Sequence, residues 1–139
     1  MIRSRLARRV EYLDAALALI AEIETRMTCF LEPLDLMLVS LRIQNPLMRN
    51  APGDHFFDVW RSVFSSSEIP IRESDRKILL TFGASLGASD LSGQRALCAD
   101  TRNRLQTALD GAYEDKKRFS RLGAVLPAFA GAAFIIVFI

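Results

Sequence analysis

Residues 5–27, RLARRVEYLDAALALIAEIETRM, decide the fold of this chain. Within them Glu22 stands one turn before Arg26, the acid-first order that stabilises a helix. Apolar residues recur at intervals of mostly three and four, at Leu6, Val10, Leu13, Leu17, Ile20, Ile23 and Met27. This spacing predicts one long amphipathic helix. Since one such helix cannot bury its apolar stripe alone, the sequence predicts a helical bundle.

Two shorter helices are predicted next. The second helix spans about residues 33–43, because a proline suits its first turn and Asn45 with Pro46 ends it. Asp54 is expected to cap a short third helix. Its bulky residues Phe57, Trp60 and Phe64, widened by Phe56 and Val63, are expected to face the core.

The remaining helices follow from capping residues and periodicity. Ser74 is predicted to cap a fourth helix that ends near Gly87, and Ser89 and Asp90 to begin the last and longest helix. The predicted inner stripe of that helix consists of Leu97, Thr101, Leu105, Ala108, Leu109 and Ala112. We therefore expect an all-α fold, a bundle of about five to six helices whose long last helix leads into a membrane anchor.

The anchor is predicted from the end of the chain. Residues 122–139 include no charged side chain, and these 18 residues form a helix of roughly 27 Å, close to the ~30 Å hydrocarbon core of a bilayer. The alternative is a buried core helix, but in so small a domain that helix normally carries a polar face. We predict a helical domain at residues 1–121 and a transmembrane segment at 122–139.

Basic residues border both ends of the predicted domain. Lys116, Lys117, Arg118 and Arg121 directly precede the apolar segment, and such clusters stay on the cytoplasmic side of a membrane. The helical domain is therefore expected in the cytoplasm. Arg3, Arg5, Arg8 and Arg9 resemble a second membrane border, which is typical of a chain with an upstream membrane helix.

Composition and motifs favour an interaction protein over an enzyme. The net charge is only +2, so nucleic-acid binding is not indicated. His55 is the only histidine, and no glycine pattern suits a phosphate-binding loop. We expect no catalytic, cofactor-binding or metal site. Cys29 and Cys98 are expected to be small buried residues in a reducing compartment.

Paired carboxylates are expected to be solvated on exposed helix faces rather than to act as acids and bases. The pairs are Glu22 with Glu24 and Glu114 with Asp115.

Two stretches together resemble one protein family. Residues 79–90, LLTFGASLGASD, followed by Gln94, resemble the Leu-Gly-x-Ser-Asp and downstream Gln signature of stage III sporulation protein AB from endospore-forming bacteria. The run from Ala112 to Gly123 resembles that family's basic approach to its C-terminal membrane segment. On this resemblance the interaction candidates are Leu86, Gly87, Ser89, Asp90 and Gln94. The alternative is that Gly87 only ends one helix and that Ser89 and Asp90 only cap the next.

The resemblance implies a specific role. It implies that this chain is a non-enzymatic, membrane-anchored component of the mother cell–forespore channel complex required for endospore development. The implied function is that of an adapter between a secretion-type ATPase, resembling stage III sporulation protein AA, and the membrane components of the channel. The domain is then expected in the mother-cell cytoplasm, with a fold similar to the cytoplasmic domains of type II secretion platform proteins. The alternative is a platform component of a type II secretion or type IV pilus-like machine.

Overall fold

The chain forms five α-helices over the residues that its computed structural model describes, 2–88 and 90–125. They are α1 (Ile2–Thr28), α2 (Leu34–Gln44), α3 (Phe56–Phe64), α4 (Glu73–Ser85) and α5 (Leu91–Val125). These residues contain no strand, so the predicted all-α bundle and its long last helix are confirmed.

The two long helices, α1 and α5, pack against each other in antiparallel orientation. Near the end of α1, Glu24 pairs with Arg102 in the first half of α5 at 3.1 Å. Near the start of α1, Arg9 bonds to Asp75, while Arg72 bonds to Asp115 in the second half of α5. The predicted apolar stripes meet in the core, where Leu13, Ile20, Ile23, Leu105 and Ala112 are buried.

Aromatic residues of α3 fill the core beside α4. Trp60 is 1% exposed, stacks on Phe56 with ring centroids 5.4 Å apart, and packs at 4.6 Å from Phe64. Its indole N–H donates a 2.7 Å hydrogen bond to the backbone oxygen of Leu79. The prediction that Phe57 faces the core is wrong, because Phe57 is 41% exposed and Val59 takes the inward position.

Two predicted helix caps are also wrong, because a carboxylate from α2 replaces the first and a carboxylate from the first turn of α4 replaces the second. At α3 the N-cap is His55, not Asp54, and Asp35 of α2 accepts the backbone N–H of Phe56 at 2.7 Å. Helix α4 begins at Glu73, so Ser74 lies inside it. Here Asp75 accepts the backbone N–H of Arg72 at 3.0 Å. A carboxylate that accepts an otherwise unpaired N–H stabilises a helix start as a local cap does.

The expectations for the cysteines and carboxylates hold only in part. Cys98 is buried, but Cys29 is exposed because it follows the last residue of α1. Glu24, predicted to be solvated, is only 23% exposed and pairs with Arg102 across the bundle. Asp115 is 30% exposed and pairs with Arg72.

The predicted membrane segment lies largely outside the described residues, which stop at 125. Among the helices that the structure describes, none combines the length and the apolar character that crossing a bilayer requires.

Candidate docking surface

The turn between α4 and α5 holds the interaction residues predicted from the sequence. Leu86 is buried, and its N–H donates to the oxygen of Phe82 as α4 ends. Gly87 follows with a φ of +87°, a backbone conformation that favours glycine. Asp90 then accepts the backbone N–H of Gly93 at 2.9 Å, which caps α5. Ser89 lies outside the described residues.

The predicted structural roles of Gly87 and Asp90 are therefore confirmed. A docking role for this turn depends on the surface around it.

A shallow groove of about 280 Å³, here called the turn groove, lies beside the turn. Three segments meet in it: the end of α1 with the α1–α2 connection, the start of α2, and the α4–α5 turn with the start of α5. Its lining residues are Met27, Leu31, Glu32, Pro33, Leu34, Gly87, Leu91 and Gln94. Leu31 is 71% and Leu91 40% exposed. The structure thus brings Gly87 and Gln94 together with apolar side chains whose role the sequence did not reveal.

The α1–α2 connection is held in an uncommon conformation. Leu31 has a φ of +51°, which costs a leucine roughly 1–2 kcal/mol. Arg26 fixes this connection by hydrogen bonds to Glu22 at 2.7 Å and Glu32 at 3.0 Å. The Glu32 bond, followed by the interactions with Glu22, raises the pKa of Arg26 above its ordinary value. The exposed side chain of Leu31 is therefore held in place beside the groove at a cost in local strain, a combination that is common at binding sites.

The opposite end of the bundle is basic. The antiparallel packing of α1 and α5 places Arg5 and Arg8 at the same end as the four predicted membrane-border residues, Lys116, Lys117, Arg118 and Arg121. Within the described part of the chain, none of these side chains forms an ion pair, and all but the half-buried Lys116 are exposed. We call this set the basic end.

Arg9 does not belong to the basic end, contrary to the prediction of a juxtamembrane arginine cluster. Its guanidinium is buried and donates to both carboxylate oxygens of Asp75, from Nε at 2.9 Å and Nη2 at 3.0 Å. A buried arginine needs such a bidentate carboxylate, and Asp75 supplies it from the first turn of α4. Sequence periodicity gave no signal for this pair, because the two residues are 66 positions apart.

The side chains with acid, base or nucleophile chemistry are scattered. His55 has 76% of its side chain exposed and lies 3.5 Å from Asp35. Burial raises the pKa of Cys98 to about 11 and that of Tyr12 to about 12, so both are protonated at neutral pH. In residues 2–88 and 90–125, no group of three His, Cys, Asp or Glu could hold a metal ion.

Comparison with known proteins gives one result. The family model described as stage III sporulation protein AB matches residues 1–139, the whole chain. No match was found among curated proteins or among solved structures. The expected similarity to type II secretion platform domains therefore stays a prediction.

Proposed function

We propose that this chain, which belongs to the stage III sporulation protein AB family, acts as a sporulation adapter. In this proposal it is a non-enzymatic, membrane-anchored component of the mother cell–forespore channel complex. It joins a secretion-type ATPase, similar to stage III sporulation protein AA, to the membrane components of the channel. Residues 122–139 tether it to the cell membrane, with the helical domain in the mother-cell cytoplasm.

The observation that carries this proposal is the separation of two unlike surfaces on one rigid pair of helices. Leu91 borders the turn groove, and Arg121 belongs to the basic end of the same helix. Thirty residues of α-helix between them span roughly 45 Å. An adapter needs this arrangement, because one surface must face the membrane while the other reaches a partner in the cytoplasm.

The basic end suits the membrane side of such an adapter. Its exposed cations have no ion-pair partner among the described residues, so their charge is available to an anionic lipid surface. Each lysine or arginine near such a surface contributes about 1 kcal/mol of attraction. The α5 residues of the basic end directly precede the proposed tether, so the tether holds the basic end at the bilayer surface.

The turn groove suits the cytoplasmic side. Leu31 and Leu91 expose apolar surface there, and the half-buried Gln94 also lines the groove. A small apolar area with a few polar groups is a common composition for a protein docking site. Neither the groove nor its rim has the convergent titratable groups that catalysis needs, which favours a binding role.

Binding of the full chain to the candidate ATPase tests this assignment. We expect Leu91→Asp to weaken binding at least about tenfold, since a charge placed in a desolvated apolar contact costs more than 1.4 kcal/mol. Ala96→Asp, at an exposed position of the same helix outside the groove, is the matched control and should bind as the parent does. Circular dichroism must show equal helicity for both variants. Equal binding by the two variants would overturn the docking assignment.

The cellular role has its own test. Deletion of the gene is expected to block spore development after engulfment has started, and a copy with Leu91→Asp should fail to restore it. Normal sporulation in the deletion strain would refute the proposed function.

A further inference from the structure

Helix α2 is apolar on two opposite sides. Met37, Leu38 and Leu41 are buried and face the core. On the other side Leu36, Val39 and Ile43 are 64%, 62% and 71% exposed. At about 100° per residue these three, here called the outer stripe, point away from the core face. Large apolar side chains that are exposed side by side indicate an interaction surface, and none of the described residues of this chain covers the outer stripe.

We propose that the outer stripe binds the outer stripe of a second copy of this chain. Its spacing of three and then four residues places the three side chains along one face of the helix, where the side chains of a facing helix can pack between them. Such a stripe is complementary to itself, as a contact between identical subunits related by a two-fold axis must be.

The charges beside the stripe are compatible with this pairing. Asp35 and Arg42 each stand one position before a stripe residue, so both lie on the same flank, while the other flank carries the uncharged Ser40. In a parallel pair the charged flank of each copy faces the uncharged flank of the other, and no like charges meet.

Contacts within the chain also engage both charged residues. Asp35 accepts the N–H of Phe56, and Arg42 donates from Nε to the oxygen of Ala51 at 2.9 Å. Each charged side chain beside the stripe therefore already has a partner within the chain.

The position of α2 argues against the bilayer as the cover. The helix starts beside the turn groove, and the residue that ends it, Asn45, donates from Nδ2 to the oxygen of Ala15 at 3.0 Å. The outer stripe thus lies along the half of α1 that is remote from the basic end. A membrane that meets the basic end does not reach the stripe.

The exposed area predicts a weak pair. The three stripe residues, each roughly two-thirds exposed, offer less than half of the about 800 Å² that one partner contributes to a stable interface of standard size. Phe30 and Leu31, which precede α2 and are 67% and 71% exposed, add apolar surface at one end. Confinement of two tethered copies to one membrane raises their effective concentration and strengthens a weak contact. Two tails in one bilayer also require the parallel orientation. The tethering, the orientation and the exclusion of the bilayer as the cover rest on the proposed function, whereas the contact between the two stripes does not.

Disulfide trapping on the full chain in detergent micelles tests the pairing. In a background with Cys29→Ser, which removes the exposed native thiol and leaves the buried Cys98, we compare Val39→Cys with Ala96→Cys under mild oxidation by copper phenanthroline. Val39 is the central stripe residue, and Ala96 is exposed on α5. We expect covalent dimers to form at least about ten times faster for Val39→Cys, and Leu36→Asp added to that variant should abolish the difference.

Equal rates of dimer formation for Val39→Cys and Ala96→Cys would overturn the proposal. If the ATPase then protected Val39→Cys from a maleimide, the protein that covers the outer stripe would be the ATPase and not a second copy of this chain. The orientation is read from Leu36→Cys, which forms a dimer with itself only in the parallel pair. A dimer that forms only between Leu36→Cys and Ile43→Cys retains the pairing and overturns the parallel arrangement that the proposed function requires. Failure of the ATPase binding test leaves these results unchanged, so the two proposals fail separately.

Discussion

Breaking the buried ion pair between Arg9 and Asp75 is expected to destabilise the bundle severely. The Arg9 and Asp75 side chains are 9% and 1% exposed, and two hydrogen bonds of 2.9 and 3.0 Å join them. Within the described residues, the only other hydrogen bond of the Asp75 side chain is the one that it accepts from the backbone N–H of Arg72. Arg9→Met leaves the Asp75 carboxylate buried without its counter-charge. Removal of one partner from such a pair costs about 3–5 kcal/mol.

The assay is thermal and urea unfolding of the full chain in mild detergent, followed by circular dichroism. The matched control is Arg104→Met, whose partner Asp100 lies one turn away in a pair with side chains 64% and 60% exposed. An exposed pair of this kind contributes about 0–1 kcal/mol. If Arg9→Met costs no more than Arg104→Met, the reasoning that burial gives the first pair its importance is refuted.

Two further outcomes are expected. Gly83→Ala places a Cβ at 2.2 Å from Cδ1 of Trp60 and should lower the free energy of unfolding by about 1–3 kcal/mol, since the packed indole has no room to move. In Gly111→Ala the added Cβ meets nothing within 4 Å, so this variant should raise the free energy of unfolding by up to about 1 kcal/mol. Equal changes for the two variants in urea unfolding would contradict the packing seen at Trp60. At pH 8 a maleimide should label Cys29 quickly and Cys98 hardly at all, because Cys98 is buried and its pKa is raised to about 11. Mass spectrometry identifies the labelled thiol, and rapid labelling of Cys98 in the folded chain would contradict its burial.

The sequence predicted the helices well because their apolar periodicity is local information. Helix α1 was expected at about residues 5–27 and spans Ile2–Thr28, and the inner stripe of α5 is buried at Leu105 and Ala112 as predicted. The periodicity of α2 predicted its core face but was not applied to its opposite face. Leu36, Val39 and Ile43 show the same spacing as its core face, and a second apolar stripe on one short helix was the available signal for a further surface.

Most errors arose where distant residues meet. At α4 the error is local, because Asp75 in the first turn accepts the Arg72 N–H in place of Ser74, while its bonds to Arg9 of α1 lie beyond what spacing can predict. At α3, Asp54 gives way to Asp35, which belongs to a different helix. The interaction residues near Gly87 came from a family resemblance, whereas the apolar rim supplied by Leu31 depends on how the α1–α2 connection folds back beside that turn. Local spacing holds no information about such contacts.

Trp60 gives this protein an optical reporter of its own. It is the only tryptophan in the chain, its indole nitrogen is bonded to the α4 backbone, and it lies against Gly83. Movement of α4 away from α3 must break that bond and admit water to the ring, which shifts fluorescence emission to longer wavelength. Since α4 leads directly into the turn at Gly87, a partner that displaces the turn on binding can be followed by emission spectroscopy without any attached dye.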